Sequence, residues 1–376
     1  GYALGNVFGG GTAASYAGTP VVIVHNCDNS IGYVYGGGNA ASVAATDVTI
    51  YGGNVIGNVF GGGNGTVSAA NVTGNTLTKI YGGTILKVFG GSNSQGTIGG
   101  TITVNALSQT ELGGTSCAMQ VGELYGGGNQ AASQAGSITI GCMNDGDMID
   151  YVYGGSNDAD VTGDIVLTMT GGRIGNLFGG NNTGHSINGN ITVTVNWNDG
   201  CSNNYLGNVY GGGNQAAYSG TPAVNIINGT VSGNVYGGGN KAGVAGSNVE
   251  MTGGVVLTGV YGGCNYSGTV TGSSLVKILG GTIGSTALLN TTTPVVAQVF
   301  GGGLGEDTWV NGNVEVNIGT SPETQSDYPK IYGDVYGGSA LGQVNDADSD
   351  LTTVNILNGT LHSEIDNSSG FPVYYG

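Results

Sequence analysis

The chain has 376 residues, 80 of them glycine, with only 8% charged side chains and a formal net charge of −17. Its six basic residues, Lys79, Lys87, Lys241, Lys277, Lys330 and Arg173, are too few to neutralise a nucleic-acid backbone or hold an anionic membrane surface. The glycines follow no strict G-X-Y triplet, which excludes collagen, and 39% hydrophobic residues in patterned segments argue against disorder.

The chain enters directly on the phrase Gly5-Asn6-Val7-Phe8-Gly9-Gly10-Gly11, with no capping helix before it. The phrase returns most fully as Gly57-Asn58-Val59-Phe60-Gly61-Gly62-Gly63-Asn64. Anchored on the aromatic residue before the paired glycines, it occurs twelve times: Phe8, Tyr35, Phe60, Phe89, Tyr125, Tyr153, Phe178, Tyr210, Tyr236, Tyr261, Phe300 and Tyr336. The gaps run 27, 25, 29, 36, 28, 25, 32, 26, 25, 39 and 36 residues, a floor of 25 with scattered excess. One structural unit with variable insertions is implied, and a period of 20–50 residues marks a solenoid, propeller or array.

Within a unit the elements read as strands. Val48-Thr49-Ile50 alternates apolar, polar, apolar. Leu167-Thr168-Met169, Val249-Glu250-Met251, Val276-Lys277-Ile278, Val314-Glu315-Val316 and Val354-Asn355-Ile356 repeat it. Period two gives a strand with one wet and one dry face, and no window offers the i, i+3, i+4, i+7 pattern of a helix. In the anchor phrase a Val or Leu always precedes the ring, and the residue before that is mostly polar. Alternation predicts the aliphatic inside and the ring outside, beside the polar position. A third short piece, such as Gly65-Thr66-Val67 or Gly268-Thr269-Val270, completes the unit. Three strands in about 25 residues predict one coil of a parallel β-helix, and coils about 4.8 Å apart predict a rod of roughly 55–60 Å. A lone coil buries too few aliphatics to offset the ordering of its backbone, so the coils must stack. A propeller blade needs four antiparallel strands and about 40–50 residues, which a 25-residue unit does not supply.

Insertions fall at 104–124, 141–150, 196–205, 284–298 and 319–331, each between a Val-x-Ile strand and the next ring. They are expected along one edge, the place where a repeat protein often binds. The final Pro372-Val373-Tyr374-Tyr375-Gly376 reads as the start of a thirteenth phrase, so both ends are expected to present open edges, as in a longer parent chain or subunits stacked head to tail.

The ring column is the strongest candidate for a ligand or assembly surface, as a platform for sugar rings or a neighbouring rod; the alternative is rings that cover the bare glycine backbone. Five cysteines, Cys27, Cys117, Cys142, Cys201 and Cys264, are present, and four lie 8 to 11 residues before a ring. Only Cys117 and Cys142 belong to neighbouring coils, and one coil spacing suits a disulfide, so that pair is the predicted bridge. No metal centre is expected, since there is no CxxC and His25, His185 and His362 are scattered. Acidic groups at Asp145/Asp147/Asp150, Asp158/Asp160/Asp164 and Asp346/Asp348/Asp350 form no complete calcium loop and read as solvated turns. No unit carries the carboxylate pair of a glycosidase, Arg173 is the only arginine for a lyase, and the Thr-x-Thr pairs are isolated rather than columnar as ice binding would need. Asn64, Asn71, Asn190, Asn228 and Asn358 head glycosylation triplets.

The phrase Val-Tyr-Gly-Gly-Gly-Asn, at 34–39, 209–214 and 235–240, resembles the glycine-rich repeats of large secreted or surface proteins of Bacteroidota-type bacteria. The resemblance spans the chain and implies an extracellular, adhesin-like or fibre-like role with no catalytic residue. The expected whole is a single all-β domain over 1–376, a right-handed parallel β-helix of about twelve coils. It is expected to be structural or adhesive, non-enzymatic and free of cofactors. Its expected partner is itself along the axis; the alternative is a carbohydrate-binding or carbohydrate-cleaving module using the insertion edge.

Overall fold

The computed structural model describes residues 3–109, 117–197, 200–285, 296–320, 328–361, 363–366 and 372–375. These residues are all-β, with no helix among them. Two compact units are distinguished, Gly1–Asn190 with Trp197–Tyr205, and Ile191–Asn196 with Leu206–Gly376.

In the first unit the ring phrases form successive parallel strands, Ala3–Phe8, Ser30–Tyr35, Asn54–Phe60, Gly83–Phe89, Met119–Tyr125, Met148–Tyr153 and Arg173–Phe178. Register is set by the rings: Tyr35 pairs with Phe8 and Phe60, and Phe89 with Phe60 and Tyr125. A second parallel sheet takes Val21–Val24, Thr46–Ile50, Thr76–Ile80, Ile102–Ala106 and Ser137–Ile140. The third pieces pair in parallel too, as bridges through Tyr16, Val43, Val72 and Ile98 and as Ser133–Gln134, Val161–Thr162 and Ile187–Asn188. The second unit repeats the scheme. Its ring strands, ending with Asn234–Tyr236, Gly259–Tyr261, Gln298–Phe300 and Val335–Tyr336, pair in parallel after Val209 and Tyr210. Its aliphatic strands run from Ile191–Asn196 through Ala223–Asn228, Ser247–Met251, Ser274–Ile278 and Val314–Ile318 to Thr352–Ile356.

The dry face is the one that alternation predicts. Val48, Ile50, Val249, Val276, Ile278, Val316 and Ile318 are all buried. So are Val59 and Val235, the residues before the rings. The glycine after each ring is there for space and not for a left-handed backbone. A Cβ on Gly36, Gly61 or Gly126 would collide with the carbonyl oxygen of Gly61, Gly90 or Gly154 in the next repeat, and none of the three has positive φ. Backbone bonds of 2.9 Å from Gly36 N to Phe60 O and 2.8 Å from Gly61 N to Phe89 O carry the ladder through this corner. Inside it, Thr46 and Thr76 hydroxyls donate to the Gly61 and Gly90 carbonyls at 2.6 and 2.9 Å.

One expectation fails at the end of the chain. Pro372–Tyr375 does not begin another parallel repeat but pairs antiparallel with Ser363–Asp366. The five residues between them are too few for a parallel crossover, which needs a dozen or more.

Two substitutions test this packing. Thr78 occupies a Val position in the aliphatic column, fully buried, and its hydroxyl finds no partner. Thr78→Val is expected to stabilise by about 1 kcal/mol in denaturant unfolding, because an unsatisfied buried hydroxyl is removed without changing the shape. Gly61→Ala is expected to destabilise by about 1–3 kcal/mol, since the neighbouring backbone must give way.

Candidate functional site

The rings are a packed column and not a surface. In the first unit Phe8, Tyr35, Phe60, Phe89, Tyr125, Tyr153 and Phe178 stack with centroids 4.7–5.0 Å apart and planes within 13° of parallel. In the second, Tyr210, Tyr236, Tyr261, Phe300 and Tyr336 stack at 4.7–5.2 Å. The spacing is that of neighbouring strands, so in-register pairing brings the rings to stacking distance without further adjustment. Tyr35, Phe60, Phe89, Tyr125, Tyr153, Phe178, Tyr210, Tyr236, Tyr261 and Phe300 are buried. Phe8 is half-buried, and only Tyr336 is well exposed, at 40%.

The reading of these twelve as a ligand or assembly surface is therefore corrected. The rings do lie beside the polar position two residues earlier, as alternation requires: Tyr125 OH bonds the Glu123 carboxylate, and Asn234 Nδ2 donates to Tyr236 OH at 3.0 Å. What closes them off is the ring stacked on either face, and a second column of amides runs beside them and reaches the phenol ends of Tyr125 and Tyr210. Asn39, Asn64, Asn93, Asn129, Asn157 and Asn182 stand four residues after successive rings. Each Nδ2 donates to the Oδ1 of the asparagine one repeat earlier, at 2.7–2.8 Å for the first four links and 2.9 Å for the last. Asn182 also donates to Tyr125 OH at 2.9 Å. Asn214, Asn240 and Asn265 form the same ladder in the second unit, and Asn265 donates to Tyr210 OH at 3.3 Å. An amide column repeating with the rings was visible in the sequence as the Asn of Gly-Gly-Gly-Asn. That the rings would bury one another was not, because alternation treats each strand alone. The ladder also engages Asn64, the head of one glycosylation triplet, whose Nδ2 donates to Asn39 Oδ1 and Thr66 Oγ1.

Burial sets the protonation of these phenols. Tyr35 is pushed up to about 12, first by desolvation and then by the neighbouring Tyr33. Tyr125 and Tyr236 are raised as well, chiefly by burial. A free Cys264, standing where other repeats have glycine, serine or, in one case, Asn181, is raised to about 11 by burial.

The predicted Cys117–Cys142 bridge is also corrected. The disulfides join Cys27 to Cys117 and Cys142 to Cys201, with Cα atoms 5.5 and 5.2 Å apart. Counting coils assumed that each cysteine stays level with its own repeat. Instead the insertions run back across corners that carry no side chain: a Cβ on Gly52 would strike the Cys117 sulfur, and one on Gly171 would lie 2.8 Å from that of Cys201. Cys27 and Cys117 share the same offset, eight residues before a ring, which was the available signal.

The insertion edge of the first unit is held from within. Asp147, 3% exposed, accepts from Met119 N at 2.7 Å, Asn144 N at 2.9 Å and the Ser108 hydroxyl. Arg173 donates from Nε to Asp147 O at 3.0 Å and from Nη1 to Asn203 O at 3.2 Å, with its guanidinium over the Tyr205 ring. The only arginine thus ties two insertions together. Asp160 accepts two bonds from Ser186, which hold its carboxyl below the usual range, and Asp164 accepts from Asn190 N at 2.7 Å. Asp350 caps a turn through Ala347 N at 3.0 Å. Among the described residues no group of three His, Cys, Asp or Glu is placed to hold a metal ion. Glu111, Pro294, Pro322 and His362 lie outside the described residues.

Comparison with protein-family models, curated proteins and solved structures finds no match to the chain.

Two measurements check this arrangement. Non-reducing peptide mapping is expected to recover Cys27–Cys117 and Cys142–Cys201, and replacing Cys27 and Cys117 with serine is expected to cost about 2–4 kcal/mol. For the phenols, the folded pKa lies above the unfolded value of about 10, so above that pH the unfolded chain carries fewer protons than the native one. Their contribution is intact below pH 10 and is lost as pH rises through about 12, the value for Tyr35. Alkaline unfolding should therefore begin above pH 10 and coincide with tyrosinate absorbance.

Proposed function

We propose that the chain is a structural segment of an extracellular fibre or surface stalk, non-catalytic and adhesive through its flanks. On this reading the parallel sheets of each unit wind as a right-handed β-helix with three short strands per turn, about twelve turns over the chain, and the turns associate end to end. The observation that carries it is the open end of the aliphatic column in the second unit. Val354 and Ile356 are 39% and 54% exposed, whereas their register partners Val316 and Ile318 are fully buried. That cross-section is the same apolar layer that every other repeat covers with its neighbour, and another turn of the same fold would cover it too. Two disulfides fit an oxidising compartment, and the resemblance of the Val-Tyr-Gly-Gly-Gly-Asn phrase to surface proteins points the same way.

Negative-stain microscopy with sedimentation tests the proposal. Thin filaments of axially joined particles at micromolar concentration are expected. The double variant Val354→Lys, Ile356→Lys should sediment as a monomer with unchanged circular dichroism. A parent chain that stays monomeric at all concentrations, with no filaments, would count against end-to-end assembly.

A further inference from the structure

The asparagine ladder of the second unit stops two repeats before the aliphatic and ring columns do. Asn240 donates to Asn214 and Asn265 donates to Asn240, both at 2.8 Å. The next ladder position is Leu304, which carries no donor. The Asn265 amide oxygen is left without a rung. Where the ladder ends, a cavity of about 340 Å³ opens, lined by Asn265, Tyr266, Leu304, Glu306, Asp307 and Leu341. Tyr266 and Leu341 are each 64% exposed, unlike the column rings. Trp309, 41% exposed, follows on the outer face of Asp307–Val310, the face it shares with Asp307.

We propose that this notch is a binding site for a neutral glycan. Each wall selects for one property of such a ligand. The exposed Tyr266 ring, with the Lys241 ammonium over one face, offers its remaining face as a flat apolar surface to the C–H face of a pyranose. The polar side chains among the lining residues, the Asn265 amide with its unused oxygen and the Glu306 and Asp307 carboxylates, supply acceptors that call for hydroxyl donors. A sugar acid or phosphate would meet two carboxylates in a chain of net charge −17. An alkylammonium ligand would compete with Lys241, whose ammonium already lies 5.2 Å from the Tyr266 ring centroid. The volume lies at the small end of ligand pockets, enough for one or two sugar residues with the rest of the chain running over the surface. The lining residues lie outside the insertions in sequence, and the site does not depend on fibre assembly, which microscopy tests by itself.

The test uses the full 376-residue chain, fluorescently labelled, on an array of neutral and acidic oligosaccharides, followed by calorimetric titration with the best-retained neutral oligosaccharide. Retention of neutral but not acidic glycans is expected. Tyr266→Ala should weaken binding at least about tenfold, or about 1.4 kcal/mol. Leu304→Asn should weaken it comparably, because the new amide donates to Asn265 and removes the acceptor, while the thermal midpoint stays level or rises. Tyr205→Ala, in the first unit, should bind as the parent does. Failure of the parent chain to retain any neutral glycan overturns the proposal. So does parental affinity in both Tyr266→Ala and Leu304→Asn.

Discussion

Parallel strands paired in register, about 4.8 Å apart, are the constraint on which the rest of the structure depends. Every residue of one repeat then sits directly beside its counterpart in the next, and chemistry that is weak once becomes a column. A stacked aromatic pair is worth about 0.5–1.5 kcal/mol beyond its buried area. An amide–amide bond contributes about as much. Six links of the first kind and five of the second run through the first unit alone. The same register imposes the glycine requirement. Where the backbone turns after each ring, adjacent repeats approach so closely that a single Cβ would occupy the place of a carbonyl oxygen. Rings, amides and glycines recur together because all three answer one geometric demand.

A column can have its own interruptions, and these are where the molecule differs from an ideal repeat. Thr78 leaves an unsatisfied hydroxyl among aliphatics. Cys264 replaces a glycine and turns its sulfur inward to Ala242 O at 3.3 Å. Leu304 ends a ladder and leaves an acceptor without a rung beside an exposed tyrosine. The first two are absorbed by the core. The third lies at the surface, where a break in a hydrogen-bonded column creates a polar group and a space together.

The insertions follow another logic. They have no register to obey, and the described residues of those in the first unit are anchored by contacts of their own: a buried carboxylate on Asp147, the Arg173 fork and two disulfides across glycine corners. Residues that a search for catalysis would single out, a buried acid and the only arginine, are used to fasten loops to one another.

Local pattern alone determined the strands, their dry faces and their repeat. Val48, Ile50, Val276 and Ile278 are inside because period-two alternation leaves one face of a strand apolar, and that is a property of the strand itself. The burial of Phe60 and Tyr125 was decided only by tertiary structure. Alternation places a ring on the outer face correctly, but whether that face is wet depends on what neighbouring repeats bring beside it, here another ring stacked above and below. The partner of Cys117 was decided in the same way. Sequence spacing counts residues along the chain, while a disulfide joins atoms across space, and an insertion is free to cross several repeats if their corners are glycine.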